Sequence, residues 1–167
     1  MIRSGLTQTR ARCLAHDAFL AQIGSRAMDS QSSRRKSMSE HPDVDRHRKG
    51  HAAFRSGDME YLNEAFAEDT VWHWSGKSQI SGDHVGRDSV FAVFDKLAEL
   101  AGESIELEDH DFLGNDKHTV ALGMTRASGR DKSLDVKFVE VCHWRDGKVA
   151  EEWFIVDDQA ADGEFWS

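Results

Sequence analysis

The stretch Leu134–Asp158 leaves few options for the fold. LDVKFVEVCHW (134–144) is rich in Val, Phe and Trp and holds neither Gly nor Pro, and VAEEWFIV (149–156) has the same character. Between them lies Arg145-Asp146-Gly147-Lys148, and an Asp-Gly pair between two β-rich runs is a strong hairpin signal. The spacing predicts two long antiparallel strands. One face needs a core, and the other is expected to carry Val139, Val141, Phe154 and Val156. Apolar residues on both faces of a hairpin imply a ligand cavity on one side and a partner subunit on the other.

Upstream, the signals are helical. His41-Pro42-Asp43 opens a helix running to about Ser56, with Val44, His47, His51 and Phe54 along one stripe and Ser56-Gly57-Asp58 as its stop. A second helix is expected over Met59–Phe66, followed by a short apolar strand, Thr70-Val71-Trp72-His73-Trp74. Ser75–Arg87 reads as loop. Asp88 or Ser89 is expected to cap a third helix, Val90–Ala101, with a broad apolar face of Val90, Phe91, Phe94, Leu97, Ala98 and Ala101. Strands follow at Ser104–Leu113 and Thr119–Ala127, then the hairpin. Helices first and a meander afterwards predict an α+β fold in which a curved antiparallel sheet wraps on three N-terminal helices.

Charge divides the chain. Residues 1–38 carry seven Lys and Arg against two Asp and Glu, whereas the 167-residue whole has a net charge of −9. We therefore expect residues 1–40 to be a basic, disordered extension, transit-like in composition or the product of a start placed ahead of Met28 or Met38, and residues 41–167 to be the domain. An acidic domain without clustered Lys and Arg excludes nucleic acid as a partner. No run of 18 apolar residues marks a membrane span, and no apolar segment marks a secretory signal. Cys13 and Cys142 are expected to be free thiols in a reducing, cytoplasmic setting.

Several motifs in combination resemble the nuclear transport factor 2-like superfamily, in particular its SnoaL-like, ketosteroid-isomerase-like branch. They are Ser56-Gly57-Asp58, Phe66-Ala67-Glu68-Asp69 ahead of Trp72, Ser81-Gly82 with Gly86-Arg87-Asp88, Asp146-Gly147-Lys148-Val149, Val156-Asp157-Asp158 and the ending Phe165-Trp166. The resemblance covers Asp43 to the C-terminus. It implies a conical α+β barrel with a deep apolar pocket and a homodimer packed sheet to sheet.

The resemblance also assigns residues. His73 falls where ketosteroid isomerases carry their catalytic Asp, and an imidazole with an ordinary pKa near 6.5 can take a proton from carbon beside a carbonyl. A packing role for His73 is the alternative. The oxyanion-hole Tyr and Asp of those isomerases fall near Gly50 and Val141, so that machinery is missing. The epoxide-hydrolase pattern meets Met124 and Arg126 in place of its Arg and Asp. Asp157, at the end of the last strand, is the second catalytic candidate, with a turn residue as its alternative. Trp72, Trp74, Phe94, Met124, Phe138, Glu140 and Trp153 are the candidate pocket residues. Glu140 alternates with Phe138 and Cys142, which makes it either a wet-rim residue or a perturbed acid; the rim is the expectation.

His47 and His51 stand at i, i+4, but no nearby Cys or third ligand follows in the sequence, and we expect neither metal nor cofactor. Two functions remain. One is a cofactor-free isomerase, cyclase or dehydratase doing acid/base chemistry on a small hydrophobic carbonyl compound. The other is a noncatalytic module for ligand binding or dimerisation.

Overall fold

The computed structural model describes residues 41–167, positions 103 and 130 apart. The expected basic extension lies outside the described residues. Within them, helix α1 (Pro42–Ser56) starts where the sequence places it. Pro42 occupies the first turn, Asp43 and Asp45 complement the positive end of the helix dipole, and His41 accepts from the Asp43 N–H at 3.3 Å. Gly57 ends it at φ 70°, a left-handed conformation in which its N–H reaches back to the last carbonyls. The helix buries Val44, His47, His51 and Ala53.

Helix α2 (Met59–Ala65) is capped by Asp58, which accepts from the Tyr61 N–H at 3.0 Å. It stops one residue short of expectation because Phe66 already belongs to strand β1 (Phe66–Trp74). The segment expected to be loop contains β2 (Gly82–Val85), antiparallel to β1. Helix α3 (Arg87–Ala101) begins on Gly86, with no side-chain cap from Asp88 or Ser89. Strands β3 (Ser104–Gly114), β4 (His118–Gly129), β5 (Lys132–Arg145) and β6 (Lys148–Val156) form the meander. At the β5–β6 turn Asp146 and Gly147 both have positive φ, 54° and 75°, as a type I′ hairpin requires.

The six strands lie in the order β2-β1-β6-β5-β4-β3. The α+β class and the curved sheet against helices are as expected. The sheet is mixed rather than wholly antiparallel, because β1 runs parallel to β6. A fourth helix, α4 (Gln159–Phe165), follows the sheet and had no counterpart in the sequence reading. It is anchored from within: the buried Asp162 accepts from the indoles of Trp74 at 3.2 Å and Trp166 at 2.9 Å. That pairing gives two buried N–H donors and one buried carboxylate mutual partners.

Period-two alternation decides what faces the core. Trp72 and Trp74 point inward from β1, Leu134, Val136, Phe138, Glu140 and Cys142 from β5, and Glu152, Phe154 and Val156 from β6. Phe154 and Val156 therefore leave the second face where they were expected, because Phe154 sits opposite Glu140 in the register. The outer face carries Val139 and Ile155, also register partners, 38% and 43% exposed.

Two local devices refine the inner face. A bulge in β3 between Asp109 and Asp111 inserts His110, so that Leu107 and Asp109 point inward and Phe112 does so again beyond it. Gly123 of β4 lets the Phe138 ring lie against the strand, where a Cβ would come within 2.6 Å of that ring.

Candidate active site

Between the inner face of the sheet and helices α1 and α3 lies a cavity of about 80 Å³. Most of its wall is apolar, including Phe54, Phe66, Trp72, Trp74, Phe94 and Phe154. The rings interlock: Trp74 stacks on Phe154 at 4.5 Å, and Trp72 meets Phe94 edge-on at 5.3 Å. Beside it runs a wider groove of about 370 Å³, which shares Phe54, Leu62, Phe94 and Ile105 with the cavity as a common wall.

One side of the cavity is polar and ionisable. His47 and His51 come from α1, Glu140 and Cys142 from β5 and Glu152 from β6, and all five are buried. A single carboxylate oxygen, Glu140 Oε1, takes both histidines, with His47 Nε2 at 2.9 Å and His51 Nε2 at 3.2 Å. The other side of each ring is also fixed. His51 Nδ1 lies 2.6 Å from Asp109 Oδ1, whose second oxygen accepts from Arg55 at 2.6 Å. His47 Nδ1 lies 2.9 Å from Thr119 Oγ1, itself an acceptor for the Trp144 indole at 2.8 Å. Cys142 Sγ sits 3.5 Å from His47 Nε2 and 3.7 Å from a carboxyl oxygen of both Glu140 and Glu152.

These contacts set charge. Burial disfavours the His51 imidazolium, but Glu140 and Asp109 on its two nitrogens outweigh that and push it up to about 10. Burial likewise opposes ionisation of Glu140, and the two histidines overcome it, holding the carboxyl below its ordinary range. Neither histidine hydrogen-bonds Glu152. Burial, reinforced by the Glu140 charge, raises it well above a normal carboxyl, so it stands as the acid beside an ionised neighbour. The same two causes, burial and the nearby glutamates, raise the Cys142 thiol. Two polar groups on the cavity wall, Trp72 Nε1 and Thr125 Oγ1, are buried without a hydrogen-bond partner. Trp72 Nε1 lies close enough to Glu152 to favour its carboxylate form, yet without hydrogen-bond geometry toward it.

The residues proposed from sequence divide. Trp72, Trp74, Phe94 and Glu140 line the cavity. Glu140 is a wall residue only 7% exposed, which corrects the expectation of a wet rim, because two histidines from a distant helix supply its hydrogen-bond partners. Phe138 is buried beside the cavity, stacked on Phe154, and does not line it.

His73 is on the other face of β1, since Trp72 and Trp74 take the inner one. It stacks on Trp153 at 5.0 Å and bridges Asp83 at 2.7 Å and Glu151 at 3.1 Å. Trp153 is outside with it, and so is Met124, beside the Arg126 guanidinium at 3.5 Å. Asp157 closes the sheet instead: its carboxylate accepts from the Lys137 N–H at 2.9 Å while its own N–H donates to the Lys137 carbonyl at 3.1 Å. The sequence reading missed Glu152, Cys142 and Asp109 as site residues. Glu151-Glu152 inside an apolar strand was the available signal, since in an alternating strand one of two adjacent acids must face inward.

Comparison with known proteins agrees with this fold. The SnoaL-like domain model matches residues 47–152. The chain is 30% identical over 131 residues to the uncharacterized protein Rv0034 of Mycobacterium tuberculosis, covering 78% of this chain and 100% of the relative. Among solved structures, Bal32a from a soil-derived mobile gene cassette superposes with a TM-score of 0.72 at 33% identity, over 75% of this chain and 96% of Bal32a. TerC, crystallised with polyporic acid, gives a TM-score of 0.67 at 21% identity, over 75% of this chain and 98% of TerC. A family model spanning well over half of the chain and a relative matched along its full length at 30% identity lead to one assignment: the chain belongs to the SnoaL-like domain family.

Proposed function

We propose that this protein is an enzyme that takes a small hydrophobic carbonyl compound into the cavity and moves a proton on it, with His47 and Glu140 as the acid/base groups and Glu152 as a hydrogen-bond donor to the carbonyl oxygen. One observation carries the reading: His47, Glu140, Cys142 and Glu152 converge on one side of a cavity that is otherwise aromatic and aliphatic. Burying such a cluster costs folding free energy, and apolar residues of similar volume commonly serve stability as well or better. In chemical terms, a proton leaves the α-carbon for the base, the electron pair moves onto the carbonyl oxygen, and reprotonation at the same or a conjugated carbon completes an exchange or isomerisation. TerC, with the same fold, was crystallised with polyporic acid, which supports a small organic occupant.

Size narrows the substrate. A cavity of about 80 Å³ holds roughly half a dozen water-sized spheres. A single ring fits that space; a larger molecule needs the Phe54–Phe94 pair, edge-on at 5.2 Å, to open toward the neighbouring groove. The outer face of the β5–β6 hairpin, with its exposed Val139 and Ile155, is proposed as the contact for a second copy.

The test is hydrogen–deuterium exchange at the α-carbons of cyclic ketones and enones in heavy water. We expect exchange above buffer with the wild type and with His73→Ala, and its loss in Glu140→Gln and His47→Gln variants shown to be folded. Loss in His73→Ala alone would return the base to the outer face. Binding of panel members without exchange would identify a noncatalytic pocket.

A further inference from the structure

We propose that His47, Glu140 and Cys142 form a binding site for a borderline-soft divalent cation, Zn²⁺ being the best match, with a fourth coordination position open to the cavity. This goes beyond the reading above, which requires no metal and uses the same His47 and Glu140 as acid/base groups in the metal-free protein. The three donors are 3%, 7% and 1% exposed, and their ligand atoms all lie within 4.8 Å of one another. Tetrahedral zinc with Zn–S of about 2.3 Å and Zn–N or Zn–O of about 2.0–2.1 Å sets ligand atoms about 3.6 Å apart for N···S and O···S pairs and about 3.4 Å for N···O. Here His47 Nε2···Cys142 Sγ is 3.5 Å, Glu140 Oε1···Cys142 Sγ is 3.7 Å and His47 Nε2···Glu140 Oε1 is 2.9 Å. Two of the three separations already suit the ion. The third is a hydrogen bond that opens by about half an ångström on coordination.

The surroundings match what metal ligands require. A ligating histidine usually has its other ring nitrogen tied to an outer partner that fixes the ring's orientation. His47 meets that condition, with Nδ1 held at Thr119 and Thr119 held by Trp144. His51, one turn along α1, is held at Nδ1 by Asp109 and steadies the Glu140 carboxylate from behind. Glu140 and Cys142 stand at i, i+2 on the inner face of a central strand, so helix and sheet offer donors from two rigid elements. Glu152, 3.7 Å from Cys142 Sγ, adds a further oxygen donor next to the three.

An independent observation points to an occupant. The Trp72 indole N–H, on a residue 4% exposed, lines this cavity without a hydrogen-bond partner among the described residues, and Trp72 pairs in register with Glu152, itself paired with Cys142. A hydroxide or substrate oxygen held at the open position supplies an acceptor beside it.

The experiment uses the full chain, stripped with chelator and titrated with Co²⁺ as a spectroscopic stand-in, then with Zn²⁺. We expect one equivalent of Co²⁺ to give intense tetrahedral d–d bands and a thiolate-to-cobalt charge-transfer band, both discharged by Zn²⁺. Cys142→Ser should abolish the charge-transfer band, which also excludes Cys13 as its source, and Glu140→Gln should weaken binding by at least about tenfold. Absence of the charge-transfer band from the wild type overturns the proposal, and that result stands even if Cys142→Ser fails to fold. Isotherms that are the same for wild type, Cys142→Ser and Glu140→Gln overturn it too, by assigning the metal to other histidines. Deuterium exchange by the stripped protein reports on the pocket reading separately, so either idea can fail alone.

Discussion

The molecule holds two histidines with nearly the same partners in opposite settings. His51 lies between Asp109 at 2.6 Å and Glu140 at 3.2 Å. His73 lies between Asp83 at 2.7 Å and Glu151 at 3.1 Å. Geometry does not separate them; water does. The His51 and Glu140 side chains are 6% and 9% exposed, whereas His73 is 24% exposed and its partners 71% and 39%. In the interior a charge without its partner has nowhere to go, so that cluster stands or falls as a unit. On the outer face solvent replaces either partner at small cost. A fixed, dry arrangement of charges surrounds the first histidine and not the second, although family position points to the second.

The comparison breaks most sharply at Glu140. Glu140→Ala removes the carboxylate that both inner histidines share and leaves buried His51 Nε2 without its acceptor, with Asp109 still on Nδ1. We expect a loss of about 3–5 kcal/mol in urea unfolding, enough to threaten the native state of a domain this size. A loss under about 1 kcal/mol would show that water or a rotated side chain already screens the cluster.

One step outward, Asp109→Asn keeps the shape and removes the charge between His51 and Arg55. The expected cost is about 1.5–3 kcal/mol, within the range of hydrogen bonds to charged groups. It should also free Arg55, whose guanidinium then loses one acceptor and keeps the Leu107 carbonyl at 3.2 Å. Trp72→Phe has a smaller net effect. It deletes a buried N–H without a hydrogen-bond partner but also the pyrrole half of the indole, so relief of the donor is offset by a cavity in the aromatic wall; stability should change by no more than about 1 kcal/mol while cavity binding weakens. Thermal unfolding with and without bound ketone separates the two effects, and a loss above about 2 kcal/mol would mean that the indole N–H has a partner in solution.

The gap between what the sequence discloses and what it hides has the same origin. The Asp146-Gly147 turn, the Gly57 stop and the strand pattern are local, so their consequences are legible from neighbours in the chain. The β1–β6 parallel pairing is not, because nothing in Phe66–Trp74 names a partner 80 or more residues away. His47 and His51 are readable as a helical pair, but their shared partner Glu140 sits on β5, 93 and 89 residues further along, and Glu140 reads as a rim residue only because those histidines are out of sight. His73 was misplaced for a different reason. Counting along a family motif put it at the catalytic position, while Trp72 and Trp74 on either side already claimed the inner face of an alternating strand. When the two signals conflict, alternation is the physical constraint.

The smallest expected effect tests the outer histidine. Partial burial pulls the His73 pKa down, but Asp83 and Glu151 overcome it and the net direction is upward from the ordinary 6.5. A folded-state pKa above the unfolded one means that protonated His73 stabilises the fold. That contribution is fully present below about pH 6.5 and disappears as pH rises through the folded-state value. Because the partners are exposed, the whole contribution should stay below about 1 kcal/mol. His73→Ala should therefore cost most near pH 5, cost less near pH 9, and lose much of its pH dependence in high salt, all readable from urea midpoints at fixed slope. The stacking of His73 on Trp153 is independent of salt, so a small loss should persist at every pH. A cost that grows as pH rises, or one resistant to salt at pH 5, would mean that the outer pair is shielded from water, for instance by a second copy seated over Val139 and Ile155, and that the contrast with His51 is one of degree.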